Sequence, residues 1–597
     1  MSEERAGRRE FMARAGAASA VAGLSPGLSG CAEDEAPPDV QTLELVTGWI
    51  EKTFDGERVR LRAYDGQVPG PTITTRPGQL LEIALVNELD DYAAKSWTRA
   101  DTWNGDHNVP HHLGTTNLHV HGLEVLPHLF EPLGTEDPAA SMIAVPPEGG
   151  VQVYPFQIPS DHPSGLFWYH PHHHGSTVVQ AVSGMAGPII VEGPIDEVPE
   201  IAAARDVLVA VQDIGLFRSD DPDDPDAWVY EPVQNAIWQS LASDPAARVT
   251  IYDASTGMAE PTPLNGGFTT GDYALRFYLV DGEPFYREEH NDGTTGECPG
   301  GGMPSQSCPV GTQLGDGLRL SIAPGEVVRL RMLNGCSDLV MPMHLEGHEL
   351  HLIALDGVNF TAPRTITTQY AEIWDGRVDY SSAATSLVLA PANRAEFLVK
   401  GGAPGTYRLV QLAHVDQQFM AADEKVVATI TVEGEPMDMA LPTALPEPTR
   451  HYPLITPGEL VDDSYVVEFE MAFPGVLNPT VGLDFMIGEQ IYAEHETTKQ
   501  VRLGTAEQWT LRTHDTMEGH PFHVHVNSFE VISIAGVDQP PGTIMDTIWV
   551  PKPPTMDGAT EVVIRSRYKQ WSGKSVYHCH ILPHEDTGMM RNFLILP

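Results

Sequence analysis

The hydrophobic positions of the chain repeat one pattern in three places. Each copy has a glycine as its second residue and continues as an alternation of apolar and polar residues, at 77–87, 324–334 and 503–513. A second shared unit, a short strand that runs from a glycine to a tyrosine, occurs at 165–169, 405–407 and 573–577. Alternation with a period of two is typical of half-buried β-strands. The repeats therefore predict an all-β protein made of three related domains.

Chain length and proline-rich joints set the predicted domain boundaries. The chain has 597 residues, which is too many for one core at ~150 residues per domain. The candidate linkers lie near 192–199 and 433–453, and the predicted domains are 40–195, 200–435 and 450–597. An insertion in the second domain carries Cys298 and Cys308, a candidate disulfide pair. Cys336 is then left over, and we interpret it as a buried, inert thiol.

Composition and charge narrow the class of protein. Apolar residues make up 41% of the chain and charged residues 20%, which argues against disorder and against a long helical rod. The 82 acidic residues outnumber the 35 basic residues and give a formal net charge of −47. Because a phosphate backbone is bound by clustered cations, we expect no nucleic-acid partner. An acidic surface chiefly favours solubility and, secondarily, cationic substrates.

The first 31 residues resemble an export signal. Arg8 and Arg9 precede a mild stretch rich in alanine and glycine, and the sequence Leu-Ser-Gly-Cys ends at Cys31. This order is similar to a twin-arginine signal followed by a bacterial lipobox. The simpler alternative is a leader with a chance pair of arginines. We therefore predict an exported protein of the periplasm or cell envelope, whose only membrane contact is a lipid anchor at Cys31.

Histidines carry the candidate chemistry. The chain contains four His-x-His pairs: His119 and His121, His170 and His172, His523 and His525, and His578 and His580. Residues i and i+2 of a strand share a face, so each pair presents two imidazoles to one point. Eight imidazoles exceed what a single tetrahedral ion can use. The pattern predicts a cluster of several metal ions.

Cys579 lies between two of these histidines and must point to the opposite face of its strand. Its candidate partners are His520, His584 and Met589. Two imidazoles, a thiolate and a weak axial thioether form the ligand set that selects blue copper rather than zinc. The segment therefore predicts a thiolate site joined through a few covalent bonds to the imidazole cluster, which is a route for electrons.

In their order and internal spacing, these motifs resemble those of multicopper oxidases, specifically the three-domain bacterial laccase-like type. The resemblance implies cupredoxin-like Greek-key β-sandwich domains and four copper ions per chain. It implies that the type 1 copper is held by His520, Cys579, His584 and Met589, with Met590 one residue too far. It implies that the type 2 copper is held by His119 and His523. It implies that the type 3 pair is held by His121, His170, His172, His525, His578 and His580.

The resemblance also implies the reaction. Type 1 copper would take single electrons from a phenolic, aromatic or metal-ion reductant, and the trinuclear cluster would reduce O2 to water with four electrons. That reaction consumes protons, so buried carboxylates must relay them. Glu585 matches the family's proton-relay glutamate, and a structural carboxylate is the alternative. A second relay is open between Glu124, Glu131 and Asp137. We expect a monomer whose partners are O2 and a small reductant.

Other functions share parts of this pattern. A non-catalytic scaffold would not need the intact ligand set, a copper nitrite reductase would not need eight cluster imidazoles, and a copper-sequestering protein would carry methionine-rich tracts. The 19 methionines here are scattered. We expect two further histidine groups to lie outside the ligand set: His173 and His174 as neighbours of the ligands or exposed residues, and His107, His111 and His112 in a solvated loop, with exposed metal capture as the alternative.

Overall fold

Strands dominate the computed structural model, and the all-β prediction is confirmed. The described residues are 39–90, 107–108, 111–219, 221, 223–230, 249–253, 258–262, 273–290, 309–366, 387–417, 420–448, 454–472, 476–477, 484–515, 518–553 and 558–597. The predicted export signal, with Arg8, Arg9 and Cys31, lies outside them, as do Cys298 and Cys308. Cys336 is described, and it is a buried free thiol as predicted.

The strands are numbered in chain order. The first twelve are β1 Val40–Phe54, β2 Glu57–Tyr64, β3 Ile73–Thr75, β4 Leu80–Asn87, β5 His119–His121, β6 Gly150–Gln157, β7 Gly165–His170, β8 Gly187–Val191, β9 Arg205–Arg218, β10 Trp228–Val229, β11 Val249–Asp253 and β12 Met258–Thr262. The next fourteen are β13 Leu275–Val280, β14 Glu283–His290, β15 Pro309–Gln313, β16 Leu318–Ile322, β17 Val327–Asn334, β18 Met341–Leu345, β19 Leu350–Leu355, β20 Val358–Ile366, β21 Leu387–Leu389, β22 Arg394–Lys400, β23 Gly405–Gln411, β24 His414–Gln417, β25 Met420–Ala422 and β26 Lys425–Val432. The last twelve are β27 Leu460–Ala472, β28 Asp484–Ile487, β29 Thr497–Arg502, β30 Ala506–Thr513, β31 His520–Val524, β32 Phe529–Ile534, β33 Val537–Asp538, β34 Ile544–Met545, β35 Thr547–Val550, β36 Thr560–Arg567, β37 Gly573–Cys579 and β38 Met590–Leu596.

Among the described residues, helices are few and short. The α-helices in these ranges are α1 Thr177–Ala181, α2 Pro199–Ala202 and α3 Leu582–Asp586, and single 3-10 turns occur at Pro194–Glu197 and Pro457–Glu459. Within the described ranges, no helix has the length and apolar character needed to cross a membrane. The helix α3 begins directly after the His-Cys-His segment, so it places its own side chains next to the candidate ligands.

The described strands form five sheets of four or more strands, all within the compact unit Val40–Pro597. The largest sheet runs β20-β19-β22-β17-β9-β10-β2-β1-β4-β6, with β13, β14 and β15 branching from β9. The others run β3-β8-β7-β5, then β16-β26-β23-β18-β21, then β28-β27-β30-β36-β32-β33 with β34 beside β32, and finally β29-β38-β37-β31-β35. The pairs β11-β12 and β24-β25 stand alone among the described strands.

The three glycine-led repeats are strands with the same pairing. Strands β4, β17 and β30 each pair in parallel with a preceding long strand, β1, β9 and β27 respectively. Each pairs on its other side with an antiparallel strand, β6, β22 or β36. The leading Gly78, Gly325 and Gly504 have φ of 86°, 78° and 81°, a left-handed turn that favours glycine. The repeated strands are confirmed, whereas the exact domain boundaries stay a prediction.

Facing sheets pack through aromatic side chains, and this packing positions the histidine strands. Trp509 on β30 contacts Phe522 on β31, Tyr577 on β37 and Phe593 on β38, with ring centroids 6.5, 5.5 and 5.9 Å apart. All four rings are buried. Edge-to-face contacts add to the burial of such large apolar surfaces. As a result, β31 and β37 are held rigidly against a second sheet.

Candidate metal centre

Two pairs of strands bring the histidine motifs together. Strand β5 pairs with β7, and β31 pairs with β37 so that His523 lies opposite His578. Residues opposite each other in an antiparallel pair share a face. The two pairs meet at their histidine faces: the ring centroids of His121 and His523 are 3.8 Å apart, and those of His119 and His525 are 3.9 Å apart.

All eight histidines of the His-x-His pairs are buried in this cluster. Three trios have ligand nitrogens within 4.8 Å of one another: His119 with His121 and His170, His119 with His523 and His525, and His172 with His525 and His578. The eighth ring, that of His580, has its centroid 4.9 Å from that of His121 and 5.4 Å from that of His170. We call these eight residues the imidazole cluster.

Backbone carbonyls fix which nitrogen of several cluster rings carries the proton. Nδ1 of His170, His523 and His578 each donates to a backbone carbonyl, at 2.8, 2.8 and 2.9 Å respectively. Nε2 of each ring is therefore left with a lone pair. Nε2 of His170 and of His523 is buried without a hydrogen-bond partner among the described residues. Nitrogen lone pairs that point to one region and accept no hydrogen bond are suited to binding metal ions.

A histidine outside the four motifs orients His119. Nδ1 of His128 donates to the carbonyl of Leu126 at 3.0 Å. Its Nε2 then accepts from Nδ1 of His119 at 3.1 Å and from the backbone N–H of Val120 at 3.3 Å. Nε2 of His119 is buried and has no such partner among the described residues, so it too is a free lone pair. Sequence reasoning missed His128, because its only signal was that it follows the first motif.

Burial keeps the cluster imidazoles neutral. It lowers the pKa of His170 to about 4 and the pKa of both His523 and His578 to about 3. Burial, followed by the proximity of other rings, lowers the pKa of His119 and His580 well below the usual value. Neutral imidazole is the form that binds metal. The donor set therefore fits copper, which imidazole ligands suit.

Asp546 is a buried carboxylate at this cluster that the sequence reasoning did not find. Its Oδ1 lies 3.2 Å from Nε2 of His121. Arg394 on β22 donates to Asp546 at 2.9 Å and lies 3.5 Å from Asp356. The middle of the chain has no copper motif, yet it supplies the guanidinium that holds this carboxylate in place.

The three carboxylates proposed as a second proton relay, Glu124, Glu131 and Asp137, differ in burial. Glu131 and Asp137 are exposed, so they cannot line a buried cluster. Glu124 is buried, and its backbone N–H donates to Nε2 of His162 at 3.0 Å. Burial raises the pKa of Glu124 to about 8 despite a hydrogen bond with Ser528.

Cys579 lies on the other face of β37, as its position between two histidines predicts. Its Sγ is 3.7 Å from Nδ1 of His520 and 3.7 Å from Nδ1 of His584. All three side chains are buried. Burial raises the pKa of the Cys579 thiol, and a bound metal ion opposes that by deprotonating a coordinating thiol. This thiolate site has two imidazoles and one sulfur turned toward one point.

Strand register separates the two candidate methionines. Met590 lies opposite His578 in the β37–β38 pair, so it shares the face of the imidazole cluster and packs against Phe130 and Tyr492 in a separate apolar group. Met589 is fully buried in the same apolar group as Cys579. The backbone N–H of Cys579 donates to the carbonyl of Met589 at 3.1 Å. This register supports Met589 on the side of the thiolate.

Two acidic side chains stand behind the histidines of the thiolate site. Oε1 of Glu518 is 2.9 Å from Nε2 of His584, and Oδ2 of Asp515 is 3.7 Å from Nε2 of His520. Both carboxylates are at least nine-tenths buried. Sequence reasoning missed them, although both lie within one short segment before the third histidine motif.

Glu585 bridges two cluster histidines. Its Oε1 is 3.3 Å from Nδ1 of His172 and its Oε2 is 3.4 Å from Nδ1 of His578. The helix α3 carries both Glu585 and His584, so one turn of helix connects the thiolate site to the imidazole cluster. Burial, and after it the neighbouring Asp586, raises the pKa of Glu585 well above the usual value.

The histidines expected to lie outside the ligand set are placed differently from one another. His173 and His174 are buried as neighbours of the cluster. His107 and His112 are exposed. The expectation that His111 lies in a solvated loop is wrong, because its ring is buried against the backbone of Gly175.

Family comparisons agree with this architecture. Three models described as multicopper oxidase match residues 108–196, 276–371 and 469–597, which together are more than half of the chain. The multicopper oxidase MmcO of Mycobacterium tuberculosis is 23% identical over 543 residues, covering 89% of this chain and 83% of the relative. A laccase of Bacillus subtilis is 37% identical over 108 residues, covering 16% of this chain and 21% of the laccase.

Solved structures show the fold. A multicopper oxidase from Campylobacter jejuni, described as a metallo-oxidase, has a TM-score of 0.60 at 19% identity and covers 95% of this chain and 93% of its own. A laccase-like multicopper oxidase from Ochrobactrum has a TM-score of 0.61 at 19% identity, with 94% and 99% covered. These likenesses confirm the predicted cupredoxin-like β-sandwich fold.

Proposed function

Because the chain belongs to the multicopper oxidases, copper-dependent oxidoreductases that use O2, we propose that it couples one-electron oxidation of a small reductant to four-electron reduction of O2 to water. One observation carries this proposal: at the end of β37, Cys579 turns to one metal-binding face while its two neighbours in the chain, His578 and His580, turn to the other. The two halves of the reaction then take place at sites joined by adjacent residues.

The donor sets divide among four copper ions per chain. Type 1 copper would be held by His520, Cys579, His584 and Met589. Type 2 copper would be held by His119 and His523. The type 3 pair would be held by His121, His170, His172, His525, His578 and His580. When bound, copper supplies one-electron redox chemistry at the thiolate site and O2 reduction at the imidazole cluster.

The chain itself supplies the connection between the sites. The side chain of Cys579 is linked to the ring of His578 through one peptide unit and to the ring of His580 through another. A second short connection is the hydrogen bond between Nδ1 of His578 and the carbonyl of Cys579, at 2.9 Å. Both routes begin at the side chain of Cys579, which is buried on a strand paired with β31. This pairing fixes the distance between the two sites.

Glu585 relays protons to the cluster in this proposal. Its two carboxylate oxygens already contact the outer nitrogens of His172 and His578, and the carboxyl is fully buried. A buried carboxyl whose neutral form is favoured can carry a proton into a site that excludes water.

Metal ions are the reductant class that the thiolate site favours, with phenols as the second. The carboxylates of Glu518 and Asp515 reach the outer nitrogens of the two histidines, and the formal net charge of −47 attracts cations. Oxygen uptake measured with Fe(II), Cu(I) and a phenol tests this preference. Glu518→Gln should slow oxidation of the metal ions more than oxidation of the phenol, and equal slowing of both would contradict it.

The N-terminal sequence extends the proposal to location. Arg8, Arg9 and Cys31 support export to the periplasm or cell envelope and a lipid anchor. Mass spectrometry of protein purified from membranes tests it: an acylated N-terminal cysteine supports the anchor, and an unprocessed N-terminus contradicts it.

Metal analysis with spectroscopy tests the function as a whole. Fully loaded protein should contain four coppers per chain, be blue and show type 1, type 2 and type 3 signals. It should also consume one O2 for every four electrons taken from the reductant, without releasing hydrogen peroxide. One or two coppers in active, loaded protein would contradict the proposal.

A further inference from the structure

The type 3 ligands come from two parts of the chain that do not share a sheet. In the proposed assignment, His170 and His172 lie at the end of β7 and just after it, whereas His578 and His580 lie on β37 and just after it. Strands β7 and β37 belong to different sheets, yet Nε2 of His172 is 3.2 Å from Nε2 of His578. Pairing between these two strands therefore does not set the separation of the rings, and contacts made by side chains must do so.

Asp586 connects the two parts. It is the last residue of α3, the helix that follows the His-Cys-His segment. Its Oδ1 accepts the backbone N–H of Gly175 at 2.6 Å, and its Oδ2 accepts the backbone N–H of Val178 at 2.8 Å. Both N–H groups belong to the turn of chain that follows the histidine motif at 170–172. The carboxylate thus bonds the backbone behind one set of ligands to the helix behind the other set.

The first turn of α1 depends on this carboxylate. The helix begins at Thr177, and the preceding Ser176 makes no side-chain hydrogen bond that would cap it. The N–H groups at the start of a helix have no acceptor within the helix, and Asp586 supplies one from α3. Gly175, Val178 and Asp586 are all buried, and a buried N–H that loses its acceptor is costly. The segment after the motif would therefore move if the carboxylate were lost.

Glu585 and Asp586 hold the cluster in different ways. Glu585 lies beside ring nitrogens of His172 and His578, whereas Asp586 accepts from backbone N–H groups. A ring can turn about its side-chain torsions, so a contact with a ring does not fix the backbone that carries it. A carboxylate bonded to two N–H groups of one turn fixes where that turn lies.

We propose that Asp586 is a positioning residue that sets the distance between the type 3 ligands of the two parts, and with it the magnetic coupling of the type 3 coppers. The proposal rests on the proposed function, because it takes copper at the type 3 positions as given. Two Cu²⁺ ions couple strongly only when they are held close enough to share a bridging ligand. A shift of the segment at 170–172 would move its ligands relative to those that follow β37 and would break the coupling.

The test is Asp586→Asn. The amide has the same size and keeps one acceptor oxygen, but its NH2 group cannot accept from an N–H, so one of the two bonds is lost. In fully loaded wild type, electron paramagnetic resonance should detect the type 1 and type 2 coppers and leave the type 3 pair silent. Asp586→Asn should stay blue and lose the silent pair, seen as additional Cu²⁺ signal or as copper that leaves the type 3 positions about 10–100-fold more readily. An intact silent pair in the loaded variant would overturn the proposal.

Asp484 provides the matched control. It is buried, and its carboxylate accepts the backbone N–H groups of Val476 and Leu477 at 2.8 and 3.0 Å. The chemistry of these bonds is the same, but the next residue, Phe485, stacks on His584 at the thiolate site. Asp484→Asn should therefore leave the type 3 pair silent. Equal loss of the silent pair in both variants would indicate a general loss of packing and would overturn the proposal.

Hydrogen–deuterium exchange of the metal-free proteins tests the same contact without copper. In wild type the N–H groups of Gly175 and Val178 should stay protected after copper is removed. In Asp586→Asn they should exchange at least ~10-fold faster, and in Asp484→Asn they should exchange as in wild type.

The wild-type measurement decides the proposal even where Asp586→Asn does not fold. Fast exchange of these two N–H groups once copper is removed would show that the metal, rather than Asp586, places the segment, and would overturn the proposal. Failure of the proposed function gives a different result, because loaded wild type would then lack a silent copper pair.

Discussion

The imidazole cluster and the thiolate site share strand β37 but are supported in different ways. In the cluster, the outer nitrogens of the rings of His170, His523 and His578 donate to backbone carbonyls. The carboxylates of Asp546 and Glu585 lie beside other cluster nitrogens, so the cluster has both kinds of support. At the thiolate site, the outer nitrogens of His520 and His584 face carboxylates instead. Carbonyls fix a neutral tautomer, whereas carboxylates add negative charge behind the ligand.

This difference matches the two tasks of the proposed mechanism. The cluster must keep several ions in one arrangement, and backbone carbonyls are acceptors whose charge does not change with pH. The thiolate site must accept electrons from outside, and carboxylates behind its histidines can attract a cationic reductant. In the proposed mechanism, the site that reduces O2 and the site that receives electrons would therefore lie on opposite faces of one strand.

Replacing the thiolate should have the largest effect. Cys579→Ser removes the soft ligand and the sulfur link between the faces, so the blue colour should vanish and the oxidase rate should fall by at least ~10³-fold, with the cluster coppers retained. Visible absorption, copper content and oxygen uptake measure this. The matched control is Cys336→Ser, a change at the second buried free thiol among the described residues, which should leave colour and rate unchanged. Retained turnover in Cys579→Ser would show that electrons take another path.

The second prediction concerns Glu585, which lies between the two regions. Glu585→Gln keeps the size of the side chain but cannot relay a proton, so reoxidation by O2 should slow by roughly 10²-fold or more. Reduction of the thiolate site by substrate should stay near wild type, because that half of the reaction takes up no proton at the cluster. Stopped-flow measurement of both half-reactions separates them. An equal loss in each would indicate a structural carboxylate.

The third prediction isolates the support of one cluster ligand. His128→Phe removes the acceptor for Nδ1 of His119, so the ring loses its fixed tautomer, and copper affinity at the type 2 position should fall by about 10–100-fold. Copper release to a chelator, followed by the loss of the type 2 resonance signal, measures it. Type 1 colour should persist, since His128 lies away from the thiolate face. Release at the wild-type rate would show that His128 does not support His119.

The smallest expected effect is at the axial position. A thioether that donates to copper stabilises the oxidised ion, so Met589→Leu should raise the type 1 potential. Met590→Leu is the matched control, because Met590 lies opposite His578 and packs in a separate apolar group. A redox titration of both variants decides between them. If only the change at Met590 moves the potential, Met590 rather than Met589 is the axial ligand.

The candidate ligands could be picked out from the sequence because their pattern is local. A His-x-His pair on a strand shows its shared face without any knowledge of the fold, and the alternation around Cys579 shows the opposite face. The supports were not predictable in this way. Asp546 reaches His121 only through a side-chain contact between two sheets, across 425 positions of sequence. Arg394 comes from a part of the chain without any copper motif. Glu518 was near in sequence, but a single glutamate has no periodic signal.

In the proposed mechanism, the two faces of β37 hold four redox-active coppers that act together. An anaerobic titration with a one-electron reductant counts them directly in the fully loaded protein. We predict that four electrons per chain are needed to bleach the blue and near-ultraviolet bands, and that a single addition of O2 restores both. Complete bleaching with one electron, or restoration of only one band, would contradict this mechanism.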